Sequence, residues 1–287
     1  RSSCIVWSYC IETEIVRKLS NEFLYQGRAF ALSFLKKVNR SEGMKLSILI
    51  TLLNEELVLP QTHREISNQL EKMLDHELTD YELLYIDDGS NDKTFELIEG
   101  FAQENKRVKY IRFSRNFGRE SGILAGFKYA SGDAVMVMDG DLQHPPYLIP
   151  LFLEAYNEGY DIVSGQRTRE GESFIGSSFA RLFYFLSNRS MDVHLTDGKS
   201  ELRLLSRKAM EAFVSMPEYN RFNKGLYEWI GFKEKVIPYK NEIRKAGKSK
   251  FGFKKSLNYA IQGIISFNDR PLRVCIQFGF VSLGLAL

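Results

Sequence analysis

The chain has 287 residues, of which 44% are hydrophobic and 26% are charged, and its formal net charge is +3. This size and composition exclude a disordered chain and indicate one large domain with a full hydrophobic core, or one such domain with an appendage. The three cysteines are few, odd in number and scattered, which argues against a disulfide framework and against a zinc site. A reducing compartment fits this cysteine usage best.

The basic charge is concentrated near the C-terminus. Residues 233–273 contain eleven Lys and Arg residues against three Asp and Glu residues, so the rest of the chain is net acidic. A basic segment of this kind binds either nucleic acid or the anionic surface of a membrane. Because an apolar terminus follows it, the sequence favours a membrane, and we expect no nucleic-acid partner.

Residues 1–43 show poor hydrophobic patterning, and we expect them to be an N-terminal extension of unknown role. No secretory signal peptide is evident there, because the apolar run is short and Glu12 and Glu14 follow it at once. A regular pattern starts at Met44, which predicts a main domain over residues 44–252.

From Met44 onward, predicted strands and helices alternate with short connections. The predicted strands are 46–53, 81–86, 108–113, 134–138 and 161–164, and the predicted helices are 55–74 with an interruption at Pro60, 93–103 and 120–130. Such alternation predicts an α/β fold with a mainly parallel sheet and helices on both faces.

Two further patterns mark the C-terminal residues. Residues 253–271 are predicted to form a juxtamembrane amphipathic helix, since Leu257, Ile261 and Ile264 fall on one helical face. Residues 272–287 are almost wholly apolar, and we expect them to be the start of a truncated transmembrane helix. A buried core helix is the alternative. The flanking basic residues predict a location at the cell membrane with the main domain on the cytoplasmic face.

Polar clusters follow three of the predicted strands, namely Asn54-Glu55-Glu56, Asp87-Asp88-Gly89-Ser90 and Asp139-Gly140-Asp141. The carboxyl ends of parallel strands share one edge, which is where α/β sheets bind ligands. Asp139 and Asp141 can both turn toward one hard cation, since Gly140 allows the chain to leave the pleat. An acidic surface turn is the other interpretation, although surface turns have no reason to gather acids on one edge.

Four residues near this edge suit a nucleotide. Asp87 and Asp88 can accept hydrogen bonds from a base and from ribose hydroxyls. Arg115 and Arg119 follow the third strand and are natural partners for a pyrophosphate.

Several segments, in this order, resemble motifs of the inverting family 2 glycosyltransferases with a GT-A (Rossmann-like) fold: Leu53-Asn54-Glu55-Glu56, Asp87-Asp88-Gly89-Ser90, Arg115-Asn116-Phe117-Gly118 and Asp139-Gly140-Asp141-Leu142-Gln143-His144-Pro145-Pro146. Later segments are similar to its polyprenyl-phosphate branch, which includes bactoprenol glucosyltransferases and dolichol-phosphate mannose synthases: Arg221-Phe222-Asn223-Lys224-Gly225, Trp229-Ile230-Gly231-Phe232, residues 244–251 and Arg270-Pro271-Leu272-Arg273. Each motif is weak alone, whereas the ordered set is specific and covers the chain from about Lys45 to its end.

The resemblance implies a nucleotide-sugar pocket that contains Asn54, Glu56, Asp87 and Asp88, to which we add Arg115 and Asp139. It also implies Mg²⁺ or Mn²⁺ bound by Asp139, Asp141 and Gln143. The physical argument agrees, because a diphosphate and an acidic strand edge repel each other unless a hard cation lies between them. Asp141 is therefore expected to assist departure of the nucleoside diphosphate.

Two departures from the family pattern concern the chemistry. Leu52-Leu53 stands where many members have a proline and an aromatic residue, which removes an aromatic side chain for base stacking. Ser200-Glu201-Leu202-Arg203 stands where the family often has Gly-Asp-Phe-Arg, so Glu201 lies near the place of a possible general base. A phosphate acceptor needs no base, since its second pKa of about 6 leaves it largely dianionic at neutral pH. His144 is expected to position or pack rather than to act as a base.

An acceptor phosphate needs cationic guidance past the negative donor, and we expect Arg167, Arg203 and Arg244 to supply it. Each has an alternative. Arg167 could be a solvated loop residue, and Arg244 could bind the membrane surface without a role in the chemistry. Arg203 could pair structurally with Glu201 or Asp197.

The sequence thus predicts a metal-dependent, inverting hexosyltransferase that moves glucose from UDP-glucose to a polyprenyl phosphate such as undecaprenyl phosphate, for cell-envelope glycosylation. Other donors (UDP-GlcNAc or GDP-mannose) and extension of a polysaccharide are alternatives. A metal-dependent phosphatase and a binding protein without turnover are more remote ones. A homo-oligomer is compatible with the sequence.

Overall fold

The computed structural model of the protein describes residues 43–74, 76–168, 189, 196, 198–219, 221–240, 263, 266–267 and 270–286. Residues 1–42 of the expected extension, Arg244 and most of the expected juxtamembrane helix lie outside these ranges. Gly43–Tyr156 and Tyr160–Leu287 belong to one compact unit.

Seven strands of the described chain form one sheet. They are β1 (Met44–Leu52), β2 (Leu78–Asp87), β3 (Val108–Arg112), β4 (Ala134–Asp139), β5 (Ile162–Arg167), β6 (Lys199–Ser206) and β7 (Glu234–Tyr239). Their spatial order is β3-β2-β1-β4-β6-β5-β7. Four neighbouring pairs are parallel, whereas β6 is antiparallel to both β4 and β5. The predicted mainly parallel α/β sheet is confirmed, with one antiparallel strand inserted.

Helices cover both faces of this sheet, as predicted. They are α1 (Leu59–Met73), α2 (Thr94–Glu104), α3 (Arg119–Tyr129), α4 (Leu148–Asn157), α5 (Arg207–Ser215), α6 (Asn223–Trp229) and α7 (Arg270–Ala286). Successive residues of β1 face opposite cores, since side chains alternate along a strand. Ile48 packs in one core with Leu70 of α1. Leu49 packs in the other with Phe127 of α3.

The first helix differs from its prediction. Residues 55–58 precede it, and α1 begins at Leu59 with Pro60 in its first turn. Proline is tolerated there because the first backbone N–H groups of a helix have no partner within the helix. Pro60 therefore starts α1 instead of interrupting a longer helix, and it leaves the preceding turn free to shape the sheet edge.

Strand β6 is absent from the sequence-based prediction. All of its residues are buried, including Lys199, Glu201 and Arg203. Charged residues at alternate positions are typical of a solvated strand or a loop, so hydrophobic periodicity does not detect such a strand. The helices α4, α5 and α6 and the strand β7 are further elements that the sequence analysis does not predict.

The C-terminal helix α7 has solvent-exposed side chains over Cys275–Gly279 and Val281–Leu285. This exposure contradicts the alternative of a buried core helix. No helix in the described ranges has both the length and the apolar character needed to cross a bilayer. The expected start of a transmembrane helix at residues 272–287 is therefore not supported by the structure.

Candidate active site

The carboxyl ends of three neighbouring strands meet at one level of the sheet. Thr51 of β1 pairs with Asp139 at the end of β4, and Leu52 of β1 pairs with Asp87 at the end of β2. The predicted convergence of the three polar clusters is thus confirmed. We call the segments after these strands, residues 53–56, 87–93 and 139–144, the carboxyl edge.

Two guanidinium groups approach the carboxylate of Asp139. Arg119, in the first turn of α3, donates a hydrogen bond from Nη2 to Oδ1 of Asp139. Arg167, at the end of β5, places its Nη2 3.7 Å from Oδ2 of Asp139. Nε of Arg167 donates a hydrogen bond of 3.1 Å to the hydroxyl of Tyr239, which fixes the guanidinium in place. Tyr239 and Asp139 therefore hold the Arg167 side chain at the carboxyl edge, and Arg167 is not a solvated loop residue.

The buried imidazole of His144 contacts both the backbone and the carboxylate of Asp139. Its Nδ1 accepts a hydrogen bond of 2.9 Å from the backbone N–H of Asp139, so the neutral ring carries its proton on Nε2. That Nε2 lies 3.4 Å from Oδ2 of the same aspartate. Burial lowers the pKa of His144 to about 4 although the charge of Asp139 opposes the shift. His144 is thus a neutral positioning residue, in agreement with the expectation.

The chain leaves the extended conformation directly after Asp139. Asp141 is only 9% exposed, and its Oδ1 accepts a hydrogen bond of 3.1 Å from the backbone N–H of Gln143. Leu142 has a φ of 60°, and Asn54, after β1, has a φ of 50°. Positive φ is uncommon for residues other than glycine, and such strain concentrates at functional sites. Both of the non-glycine cases among the described residues lie at the carboxyl edge.

The donor set here suits a hard cation. Asp139, Asp141 and Gln143 carry side-chain oxygens, the type of ligand that Mg²⁺ and Mn²⁺ prefer. Within the described ranges, no group of three or more His, Cys, Asp or Glu side chains could hold a metal ion. Mg²⁺ is usually bound by one or two carboxylates together with substrate phosphates. The two carboxylates therefore fit a cation shared with a bound diphosphate, and they do not form an all-protein metal site.

The turn between β1 and α1 is tied to the turn after β2. Oδ1 of Asn54 accepts a hydrogen bond of 2.8 Å from the backbone N–H of Asn91, and the backbone N–H of Asn54 donates one of 2.9 Å to Oγ of Ser90. Oε2 of Glu56 accepts a hydrogen bond of 3.0 Å from the backbone N–H of Lys93. Asn54 and Glu56 thus fix the shape of the edge, while their contact with a nucleotide stays a prediction.

Asp87 and Asp88 also hold the edge together. The fully buried carboxylate of Asp87 has its Oδ2 3.6 Å from Nε of Arg112. The carboxylate of Asp88 accepts hydrogen bonds of 2.7 Å and 3.0 Å from the backbone N–H groups of Phe117 and Gly118. Burial raises the pKa of Asp88. Because both carboxylates are engaged within the protein, donor binding by Asp87 and Asp88 stays a prediction.

The segment after β3 presents Arg115 beside an exposed aromatic ring. The guanidinium of Arg115 lies 4.2 Å from the ring centroid of Phe117, which is 47% exposed. Gly89 has a φ of +73°, and a Cβ there would lie 2.6 Å from the carbonyl carbon of Arg115. Only glycine therefore lets the turns after β2 and β3 approach so closely. Arg115 lies near the edge as expected, and its contact with a pyrophosphate stays a prediction.

Arg203 lies inside the domain. Its side chain is 1% exposed, its Nη1 is 3.7 Å from Oε1 of Glu234, and its guanidinium carbon is 4.3 Å from the ring centroid of Tyr227. The alternative that Arg203 forms a structural ion pair agrees with the structure, although the partner is Glu234 of β7 rather than Glu201, and Asp197 lies outside the described residues. The guanidinium is turned into the domain, and its expected contact with an acceptor phosphate stays a prediction. We therefore leave Arg203 out of the proposed acceptor site.

A sheet that gathers carboxylates and guanidiniums at its carboxyl edge is typical of nucleotide-binding α/β proteins. Residues 47–213 match the profile of glycosyl transferase family 2. Glycosyltransferase CsbB of Bacillus subtilis is 45% identical over 242 residues, which cover 84% of this chain and 72% of that protein. A bactoprenol glucosyl transferase of Shigella phage SfV is 35% identical over 237 residues, which cover 82% and 76%. The chain belongs to glycosyl transferase family 2.

Solved structures support the fold. A mannosyltransferase from Pyrobaculum calidifontis in complex with GDP-mannose and Mn²⁺ superposes with a TM-score of 0.54 at 12% identity, covering 84% of this chain and 73% of that one. Glucosyl-3-phosphoglycerate synthase from Mycobacterium tuberculosis, in complex with Mn²⁺, UDP-glucose and phosphoglyceric acid, gives a TM-score of 0.51 at 15% identity and covers 79% of both chains. The expected GT-A-like architecture is therefore confirmed.

Proposed function

We propose that this glycosyltransferase moves a hexose from a nucleotide sugar to a polyprenyl phosphate, with UDP-glucose and undecaprenyl phosphate as the first choices. The observation that carries the proposal is the carboxylate of Asp139 between the guanidiniums of Arg119 and Arg167, beside Asp141. This arrangement combines cation ligands with fixed positive charge, which is what a departing diphosphate requires. Relatives named bactoprenol glucosyl transferase support the choice of acceptor.

Asp139, Asp141 and Gln143 are the proposed ligands for Mg²⁺ or Mn²⁺. The ion, when bound, supplies charge neutralisation for the diphosphate. Arg119 and Arg167 already engage Asp139, so they lie where they can also contact the phosphate oxygens of a donor. The presence of Mn²⁺ in both structurally similar proteins supports the requirement for a divalent cation.

The proposed reaction is a single displacement with inversion. A phosphate oxygen of the lipid attacks the anomeric carbon, and the bond from that carbon to the diphosphate oxygen breaks, so the nucleoside diphosphate leaves with the electron pair. The acceptor phosphate is largely dianionic at neutral pH and needs no general base. Arg167 is the proposed guide for this phosphate, since its side chain is 31% exposed while Tyr239 holds it.

We also propose that the protein acts at the cytoplasmic face of the cell membrane. Exposed apolar side chains on α7 support this location: Ile276, Phe278, Val281, Leu283 and Leu285. The basic composition of residues 233–273 supports it further, because anionic headgroups attract Lys and Arg. Arg244 lies in that basic segment, and its role, in the chemistry or at the membrane surface, stays a prediction.

An acceptor comparison tests the proposal. The purified chain is incubated with labelled UDP-glucose, Mn²⁺ and one of three acceptors in matched detergent: undecaprenyl phosphate, undecaprenol or a glucan oligosaccharide. We expect organic-soluble label with undecaprenyl phosphate and none with undecaprenol. Label in the oligosaccharide would instead identify a polysaccharide-extending enzyme. The proposal would be refuted if the protein released inorganic phosphate and transferred no sugar, both from UDP-glucose and from other sugar nucleotides.

A further inference from the structure

Buried polar atoms between β6 and α6 have no hydrogen-bond partner in the described structure. They are Oε2 of Glu201, Nε and Nη1 of Arg203, Oη of Tyr227 and both amide atoms of Asn223. The exposed fraction is 8% for Glu201, 3% for Tyr227 and 0% for Asn223. Asn223 and Tyr227 are four residues apart in α6 and therefore lie on one face of it. We call Glu201, Asn223 and Tyr227 the polar chamber.

The packing of β6 against α6 brings these three side chains together. Lys199, Glu201 and Arg203 alternate along β6 and so project from the same face of the strand. Nζ of Lys199 lies 2.7 Å from Oε1 of Glu228 in α6, and the guanidinium of Arg203 lies over the ring of Tyr227. Glu201, between them on that face, therefore also faces α6.

Glu201 also borders the carboxyl edge. In the antiparallel pairing of β4 with β6, Val137 is opposite Arg203. Glu201 comes two residues before Arg203 in β6 and Asp139 comes two residues after Val137 in β4, so both lie beyond the last paired residues at the same end of the two strands. The charge of Glu201 also acts on His144, the ring that supports Asp139. The polar chamber thus lies near the place where the proposed diphosphate leaves the sugar.

Buried polar groups are nearly always hydrogen-bonded, and leaving one without a partner costs folding free energy. Four such side chains, of Glu201, Arg203, Asn223 and Tyr227, lie near the carboxyl edge, which indicates that a ligand supplies the missing partners. Removing a polar atom that lacks a partner should stabilise the ligand-free protein, which distinguishes a binding group from a structural one.

The chemistry of the chamber favours a neutral ligand. Both signs of charge occur here, since Oε2 of Glu201 and two guanidinium nitrogens of Arg203 are among the buried atoms without a hydrogen-bond partner. Nζ of Lys224 is directed to the backbone carbonyl of Lys199, 3.4 Å away. Hydroxyl groups suit such a mixture, because they can donate to a carboxylate, accept from a guanidinium, and both donate to and accept from an amide or a phenol.

We infer that Glu201, Asn223 and Tyr227 bind the hydroxyl groups of the donor hexose and thereby determine which sugar is transferred. The inference rests on the proposed function, because it assigns the sugar subsite of that same donor. It accounts for a carboxylate at position 201 in an enzyme whose phosphate acceptor needs no base.

Calorimetry on the full chain with Mn²⁺ tests the inference by comparing UDP-glucose with UDP, which lacks the sugar. UDP-galactose, UDP-GlcNAc and GDP-mannose extend the donor panel. The variants are Tyr227→Phe, Asn223→Ala and Glu201→Gln. Tyr219→Phe is the matched control, because Tyr219 is 97% exposed.

For Tyr227→Phe and Asn223→Ala we expect affinity for the preferred sugar nucleotide to fall about tenfold, and for Glu201→Gln about 10- to 100-fold, while affinity for the free nucleotide is unchanged. Tyr227→Phe should also raise the melting temperature of the ligand-free protein. The control should alter neither quantity.

Two results would overturn the inference. Unchanged sugar-nucleotide affinity in all three variants would mean that the chamber holds a trapped water only. Loss of turnover by Glu201→Gln with unchanged donor affinity would make Glu201 a base and not a sugar ligand. If the unmodified protein binds free nucleotide but none of the sugar nucleotides, it is the proposed function that fails.

Discussion

Nη2 of Arg119, in the first turn of α3, donates a hydrogen bond to Oδ1 of Asp139 at the end of β4. The contact joins the start of a helix to the end of a strand. It fixes the positively charged guanidinium of Arg119 where the phosphate oxygens of the donor are proposed to bind. Sequence analysis places Arg119 near the edge as a partner for a pyrophosphate, but it does not foresee that a carboxylate of the proposed metal site holds it there.

Replacement of Arg119 tests this role. Arg119→Ala should lower kcat/KM for the sugar nucleotide about 10- to 100-fold, because a preorganised positive charge at the leaving diphosphate is lost. Arg64→Ala, on the exposed face of α1, is the charge-matched control and should be without effect. Steady-state kinetics would contradict this role if the two variants behaved alike.

The turns after β2 and β3 should separate when a side chain is added at Gly89. Gly89→Ala introduces a Cβ at positive φ and 2.6 Å from a backbone carbon of Arg115. We expect a loss of about 1–3 kcal/mol in the free energy of unfolding, together with weaker nucleotide binding. Gly100→Ala in α2, where a Cβ meets nothing within 4 Å, should instead stabilise by up to about 1 kcal/mol. Denaturant unfolding of both variants measures the difference, and equal effects would contradict the close approach of the turns.

Stability should depend on pH through Glu82, a buried residue of β2. Burial alone would raise its pKa, but hydrogen bonds from Lys109, Ser131 and Ser47 outweigh that effect and hold the pKa of Glu82 at about 2. A carboxyl with a depressed pKa stabilises the fold fully above its unfolded pKa of about 4.5 and loses that contribution as pH falls toward 2.

The variant Glu82→Gln isolates this contribution. It should cost about 1–3 kcal/mol at pH 7 and should unfold with a flatter pH dependence between about pH 5 and 2 than the unmodified protein. Glu77→Gln, at an exposed position before the same strand, should leave the pH profile as it is. Parallel profiles for Glu82→Gln and the unmodified protein would show that the buried carboxylate makes no such contribution.

The free energy of unfolding should fall more when the buried charge network of Lys199 is truncated than when the exposed ion pair of Lys208 is. Nζ of Lys199 lies 2.7 Å from Glu228 and 2.6 Å from Glu234, with the lysine side chain 5% exposed. Lys199→Met removes the nearest cation from Glu228 and leaves Glu234 with the more distant Arg203, and it should cost about 3–5 kcal/mol. Lys208→Met removes a 2.8 Å pair whose lysine is 56% exposed and should cost at most about 1 kcal/mol. Thermal or denaturant unfolding should separate the two variants clearly, and similar losses would contradict the network's importance.

The sequence predicts the first half of the sheet well because the signals that define its strands lie within or next to each strand in the sequence. Apolar runs such as β4 are bounded by Gly, Asp and Pro residues that mark strand ends, and parallel topology then brings Asp87 and Asp139 to one edge. Strand β6 escapes detection for a physical reason. Lys199 and Arg203 are buried because Glu228 and Glu234 neutralise them, and those partners are far away in sequence. The polar chamber is likewise a product of tertiary packing.

Formation of labelled glucose linked to polyprenyl phosphate, by the unmodified chain and by Asp141→Asn, is the most direct test of the account. Asp141 is chosen because it combines burial with a place in the strained turn after β4. With labelled UDP-glucose, undecaprenyl phosphate and Mn²⁺, the unmodified protein should produce organic-soluble label. Asp141→Asn should produce at least about 100-fold less at an unchanged melting temperature, since a ligand to the cation is lost. Equal amounts of labelled lipid from both proteins would contradict the account.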